Sequence, residues 1–88
     1  MRNDQALAQI TVQVERLVET GKGDVKHLGE EIYELRIHRR PGYRVYFIIW
    51  ETNYFLLCGG TKGTQSRDIN RARGLAKELQ DDKGTDRT

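Results

Sequence analysis

A single cysteine, Cys58, rules out an internal disulfide in this 88-residue chain. Its setting, Leu56-Leu57-Cys58, reads as a buried free thiol rather than a nucleophile. The two histidines, His27 and His38, stand eleven residues apart with no acidic residues at ligand spacing. That set makes neither a zinc pattern nor a Ser-His-Asp arrangement, and no metal or cofactor is expected. Glycines at Gly59, Gly60 and Gly63 lack the GK[ST] signature of a phosphate loop. No apolar run approaches the roughly 18 residues of a membrane-spanning helix, so no membrane partner is expected. No basic head followed by an apolar stretch opens the chain, which points away from a signal peptide and toward a cytoplasmic address.

What remains is the make-up of one small domain, 36% hydrophobic and 32% charged. A fold of this size buries a modest share of its surface and is only marginally stable alone, so a partner covering part of it matters to stability. The net charge of +2 is too small to imply a polyanion by itself. Its distribution says more. Acidic residues gather at Glu15, Glu19, Asp24, Glu30, Glu31 and Asp81-Asp82, while cations concentrate from Arg36 to Arg44 and from Lys62 to Arg73.

The stretch Glu34 to Arg44, ELRIHRRPGYR, holds Arg36, His38, Arg39, Arg40 and Arg44 around a Pro41-Gly42 turn. Leu35, Ile37, Tyr43 and Val45 alternate with cationic positions, the period of two half-buried strands with one face on a core and one face charged. These strands are predicted over about 31–38 and 43–50. The second is apolar on both faces beyond Tyr46, as a strand covered on both sides requires. A third strand is expected over 54–58, after a hairpin turn in which Asn53 takes the left-handed conformation. Gly59-Gly60 is read as the point where the backbone leaves the sheet. Ahead of the strands, Leu7, Ile10, Val14, Leu17 and Val18 mark an amphipathic helix over 4–19, with Asp4 as N-cap. Residues 21–29 read as a loop with a short helical turn or irregular crossing. After them Thr64 or Ser66 caps a helix over 67–79 with Ile69, Ala72, Leu75, Ala76 and Leu79 inward. The fold class is α+β: helix, three-stranded antiparallel meander, helix, in a domain of residues 1–80 with a disordered polar tail over 81–88.

The motifs ELRI, PGYRVYF and LLCGG, followed by Lys62, Gln65, Arg67-Asp68-Ile69 and Arg71-Ala72, resemble the RelE/ParE-type toxins of bacterial toxin–antitoxin modules. The resemblance is to the HigB-like branch called putative addiction module killer proteins and covers residues 4 to 79. It implies a metal-independent endoribonuclease acting on mRNA, in some relatives on the translating ribosome, and a small cognate antitoxin as partner. Relatives open with an additional strand and the front half of the first helix. Their lack here predicts an exposed sheet edge that recruits another chain, a late start codon and a homodimer being alternative readings of it. Some relatives carry a C-terminal catalytic tyrosine, and nothing after Tyr54 is tyrosine or histidine.

Arg44 holds the motif position of the family's central-strand arginine. Arg36, one strand across, is placed to share its face. Lys62 and Arg67, after the third strand, come down on the rim. Arginine forks suit a phosphorane because they pair with its oxygens and its developing charge. Arg39 and Arg40 are expected to contact phosphates, with Lys26 and His38 as further RNA-binding positions. His38 is also the one conventional base, but the resemblance does not single it out, and a polar strand-end residue is the role expected for it ahead of a base. Gln65 and Asp68 match the motif, and capping or orienting an arginine explains them as well as catalysis does. Two other readings stay open: a gyrase-poisoning relative without nuclease activity, and an inactive nucleic-acid-binding remnant.

Overall fold

The computed structural model describes the backbone of residues 2–85 and the side chains of residues 5–81. Its elements are α1 (Arg2–Thr20), β1 (Asp24–Gly29), β2 (Ile32–Ile37), β3 (Tyr43–Trp50), β4 (Asn53–Thr61), a 3-10 turn (Lys62–Thr64) and α2 (Gln65–Thr85). The strands pair in chain order as an antiparallel meander. The α+β class and the element order match the expectation, but the sheet has four strands rather than three.

The additional strand is β1, in the segment expected to be loop. Only Val25 and Leu28 are apolar there, so the local signal for a strand is weak. Pairing with β2 overrides it, with Val25 opposite Leu35 and His27 opposite Tyr33. The connecting turn is Glu30-Glu31, with φ of 54° and 68°. Two successive left-handed residues give the twist that a two-residue hairpin needs, at a steric cost that glycine or asparagine avoids.

Alternation along β2 and β3 splits the core in two. Leu35, Ile37, Val45 and Phe47 face α1, where Leu17 is buried with them and Ile10 and Val14 pack alongside. Burying a side chain such as Phe47, 1% exposed, contributes about 1.5–3 kcal/mol. On this face His27, Tyr33, Phe47 and Tyr54 form a ladder, one ring per strand, with successive centroids 4.8, 5.6 and 5.6 Å apart. Ile32, Tyr46 and Ile48 face the other way, onto Ala72 and Ala76 of α2. Thus β3 is covered on both sides, as its apolar run requires.

Five other expectations change. Helix α1 begins at Arg2, so Asp4 lies inside it rather than at its N-cap. Leu7 and Val18, assigned to the buried stripe of α1, are 62% and 49% exposed, because the helix meets the sheet along a narrower line through Ile10, Val14 and Leu17. The left-handed residue between β3 and β4 is Glu51, φ 58°, not Asn53. Gly59 and Gly60 do not lead out of the sheet, since β4 continues through Thr61 with both paired to Val45 and Arg44. They are small for want of space. A Cβ on Gly60 would lie 1.9 Å from Asp68 Oδ2, and one on Gly59 would lie 2.9 Å from the Arg44 carbonyl oxygen. Finally, α2 runs past Leu79 to Thr85, so the expected tail begins as helix, and residues 86–88 lie outside the described residues. Among the described residues no helix is long and apolar enough to cross a membrane.

Candidate functional site

Where α2 begins, it leaves the end of its sheet face uncovered, and the residues there are polar. The β2–β3 register sets Arg36 directly opposite Arg44, and Glu34 opposite Tyr46. Two like charges in facing positions repel. Glu34 resolves the conflict. It is fully buried, and its Oε1 accepts a hydrogen bond from Arg36 Nε at 2.9 Å. Its Oε2 accepts from Arg44 Nη1 at 3.2 Å, Tyr46 Oη at 3.1 Å and Gln65 Nε2 at 2.8 Å. One carboxylate therefore ties β2, β3 and the first residue of α2 together.

Burial alone would raise the pKa of Glu34, but the bonds from Arg36, Gln65, Tyr46 and Arg44 outweigh it and hold the carboxyl below its ordinary value. The hydrogen bond that Arg36 donates to Glu34 in turn raises the pKa of Arg36. Burial, then the neighbouring Glu34 charge, pushes the Tyr46 phenol well above its usual range, so it stays a donor. The arginines are oriented without being consumed. A guanidinium has five N–H groups, and the Arg36 and Arg44 side chains keep 30% and 12% exposure toward solvent.

Those exposed ends open into a cavity of about 370 Å³ lined by Arg36, His38, Arg39, Arg40, Arg44 and Lys62 around the Pro41-Gly42 turn. Lys62 reaches it because its backbone N–H donates to the Gly42 carbonyl at 2.9 Å, fastening the 3-10 turn to the arginine hairpin. Behind it, the Thr61 N–H donates to Thr64 Oγ1 at 3.1 Å, and the Thr64 hydroxyl donates to the buried Asp68 carboxylate. Gly60 leaves the room for that pair. A second, wider groove of about 730 Å³ runs between α1 and the start of the hairpin and shares Arg36, His38 and Arg39 with the first.

Six of the eight residues singled out from the sequence therefore meet in one cavity: Arg36, Arg44, Lys62, Arg39, Arg40 and His38. The other two stand apart. Arg67 is 79% exposed, with Nε 3.7 Å from Asp68 Oδ1. Lys26 is exposed on β1, opposite Glu34 in register but not among the lining residues. Gln65 donates to Glu34, the carboxylate that holds both arginines, whereas the Asp68 carboxylate accepts from Thr64. Glu34 itself was missed as a functional position. Its signal was present: an acid at the start of the cationic alternation, two residues from Arg36 and therefore on the same face. Cys58 is half-buried, its Sγ donating to the Asp68 carbonyl at 3.5 Å. Burial, then the charge of Asp68, raises its pKa and keeps the thiol protonated. Among the described residues no cluster of His, Cys, Asp or Glu is arranged to hold a metal ion.

A family profile described as Phage derived protein Gp49-like (DUF891) matches residues 2–80. An uncharacterized protein of Haemophilus influenzae strain Rd is 43% identical over 82 residues, which span 90% of this chain and 81% of that one. No solved structure matches the chain.

Proposed function

The chain belongs to the Gp49-like family, a RelE/addiction-module-killer-like family, and from that premise we propose that it is the toxin of a type II toxin–antitoxin module. In this reading it is a HigB-like endoribonuclease of the cytoplasm that cleaves mRNA, on the ribosome or free, without a metal. The observation that carries the reading is the pair Arg36 and Arg44, facing each other across two strands and held by one buried carboxylate. A site preorganised in this way stabilises charge without reorganising as the charge develops, and a pentacoordinate phosphate is such a charge.

The chemistry is attack of a ribose 2′-hydroxyl on the adjacent phosphorus. Arg36 and Arg44 direct their free N–H groups at the non-bridging oxygens, and Lys62 adds a cation from the rim. Arg39 and Arg40, exposed at the turn, contact flanking phosphates and set register without reading bases. Lys26 and Arg67 extend the positive surface beyond the cavity. A small antitoxin is the partner that family membership suggests. Its acidic side chains would compete for the same arginines. An edge strand of the sheet, β4 with Leu56 56% exposed, offers unpaired backbone to that partner or to a second copy.

The test is growth of a bacterium induced to make the chain or its Arg44→Ala variant. Arrest is expected from the first. Removing a transition-state donor costs about 10²–10³ in rate, enough to abolish the arrest. Full toxicity of Arg44→Ala, with its fold confirmed by circular dichroism, would remove Arg44 from the site.

A further inference from the structure

One hydrogen-bonded pair on this face has no part in that scheme. Asp24 opens β1 opposite Arg36, and His38 follows β2, two residues beyond Arg36. Strand alternation therefore sends both to the face that carries Glu34 and the arginines. There His38 Nε2 is hydrogen-bonded to Asp24 Oδ2. The imidazole also lines the arginine cavity beside Arg36, Arg44 and Lys62, and its side chain is 71% exposed, so a substrate can reach it. An ionised carboxylate only accepts, so Nε2 carries the proton in this bond and Nδ1 keeps its lone pair.

An arginine cavity can hold a phosphorane, but a guanidinium does not give up a proton near neutrality. Glu34 is a poor base as well, because all four of its hydrogen-bond partners are donors and its carboxyl is held below the ordinary range. Imidazole is the side chain in the cavity whose chemistry allows proton exchange near neutral pH.

We propose that His38 is the catalytic base of the ribonuclease reaction and that Asp24 is its positioning residue, an inference that rests on the endoribonuclease reading above. His38 Nδ1 takes the proton of the 2′-hydroxyl as the O2′–P bond forms and the P–O5′ bond breaks. The departing 5′-oxygen takes a proton from solvent water, and the imidazolium returns its proton to solvent. The products are a 2′,3′-cyclic phosphate and a 5′-hydroxyl, with no oxidant, metal or other reactant consumed. The charged residues that line the cavities shared with His38 are Asp24 from β1, Arg36 from β2, Arg39 and Arg40 from the turn, Arg44 from β3 and Lys62 from the 3-10 turn, with Arg16 of α1, and the Glu34 carboxylate lies buried behind Arg36 and Arg44. Asp24 is the carboxylate bonded to the imidazole. It fixes the tautomer and offsets the surrounding cations when the imidazolium forms.

The experiment is single-turnover cleavage of a short single-stranded RNA by the purified chain, with and without translating ribosomes, from pH 5 to 9. The unmodified chain, His38→Ala, Asp24→Asn and Arg44→Ala are compared, and RNA binding is measured for each. The unmodified chain is expected to show a rate that rises with pH. His38→Ala should lose about 10²–10⁴ in rate with RNA binding retained, lose that pH dependence, and recover in part with added imidazole. Asp24→Asn should keep a pH-dependent rate, retain RNA binding and slow the reaction by about tenfold, within the usual range for a partner that orients a catalytic group. Cleavage by His38→Ala within threefold of the unmodified chain, with the pH profile unchanged, would overturn the dyad and leave the nuclease reading standing. Absence of cleavage by the unmodified chain under every condition would overturn both.

Discussion

Glu34→Gln is the perturbation that tests most sharply how the site is held. The two side chains have nearly the same shape, so packing is preserved and only charge and acceptor count change. In the native site both carboxylate oxygens accept, Oε1 from Arg36 and Oε2 from Arg44, Tyr46 and Gln65. Glutamine offers a single acceptor oxygen. Whichever way its amide turns, the NH₂ group meets a donor, and the remaining donors bond to a neutral oxygen. Hydrogen bonds to a charged group contribute about 1.5–3 kcal/mol each, and breaking a buried pair from one side costs roughly 3–5 kcal/mol. Because both arginines reach solvent, the low end applies, and about 3 kcal/mol is expected. For a domain of this size that lowers the melting temperature by more than about 10 °C. The effect has a pH signature. The folded pKa of Glu34 lies below its unfolded value, so its contribution is fully present above the ordinary glutamate range and drains as pH falls through the folded pKa. The glutamine variant lacks this titration, so the stability gap, widest near pH 7, should narrow below about pH 4. Urea unfolding followed by tryptophan fluorescence, with exposed Glu19→Gln as the control, measures both. A gap under about 0.5 kcal/mol at pH 7, the scatter of neutral surface changes, would refute the role given to Glu34.

Two further outcomes follow from the backbone. Gly60→Ala places a methyl 1.9 Å from Asp68 Oδ2 and 2.6 Å from Thr64 Oγ1, so the pair that organises the start of α2 must move. Overpacking of this kind costs about 1–3 kcal/mol, readable in the same urea titration, and an Asp68→Asn background should not relieve it. Replacing Glu30-Glu31 by Asn-Gly should raise stability by about 1 kcal/mol, because residues that tolerate the left-handed region replace two that do not. The exposed bonds lost with them, Arg73 to Glu30 at 3.2 Å and Gln80 to Glu31 at 3.1 Å, contribute little in water. A net loss of stability in thermal melts would mean that these contacts dominate the turn.

The parts of this structure that could be read in advance are those in which one local period decides the outcome. The strand from Tyr43 to Trp50 was legible because its apolar run leaves no other conformation that buries both faces. The cationic face was legible because Arg36, His38 and Arg44 alternate with apolar residues. What escaped depends on contacts distant in sequence. Residues 24–29 become a strand only because β2 offers an edge, and nothing in DVKHLG announces it. Gly59 and Gly60 look like a chain exit until Asp68, eight residues beyond Gly60, is known to lean against the strand. Arg67 and Lys26 carry the right charge, but their directions follow from the helix phase and the sheet edge. Glu34 was hidden by its type. A carboxylate among arginines reads as charge balance, whereas burial makes it the post to which both arginines are fixed.

The central claim is that the arginine pair serves cleavage of RNA by a neighbouring 2′-hydroxyl. Its most direct test is to induce the chain in growing bacteria and map transcript 5′ ends by a method that distinguishes hydroxyl from phosphate. Arrest accompanied within minutes by new internal ends bearing a 5′-hydroxyl is expected, with none of these ends from Arg44→Ala. Arrest with intact transcripts and a DNA-damage response, or new ends bearing a 5′-phosphate, would contradict it.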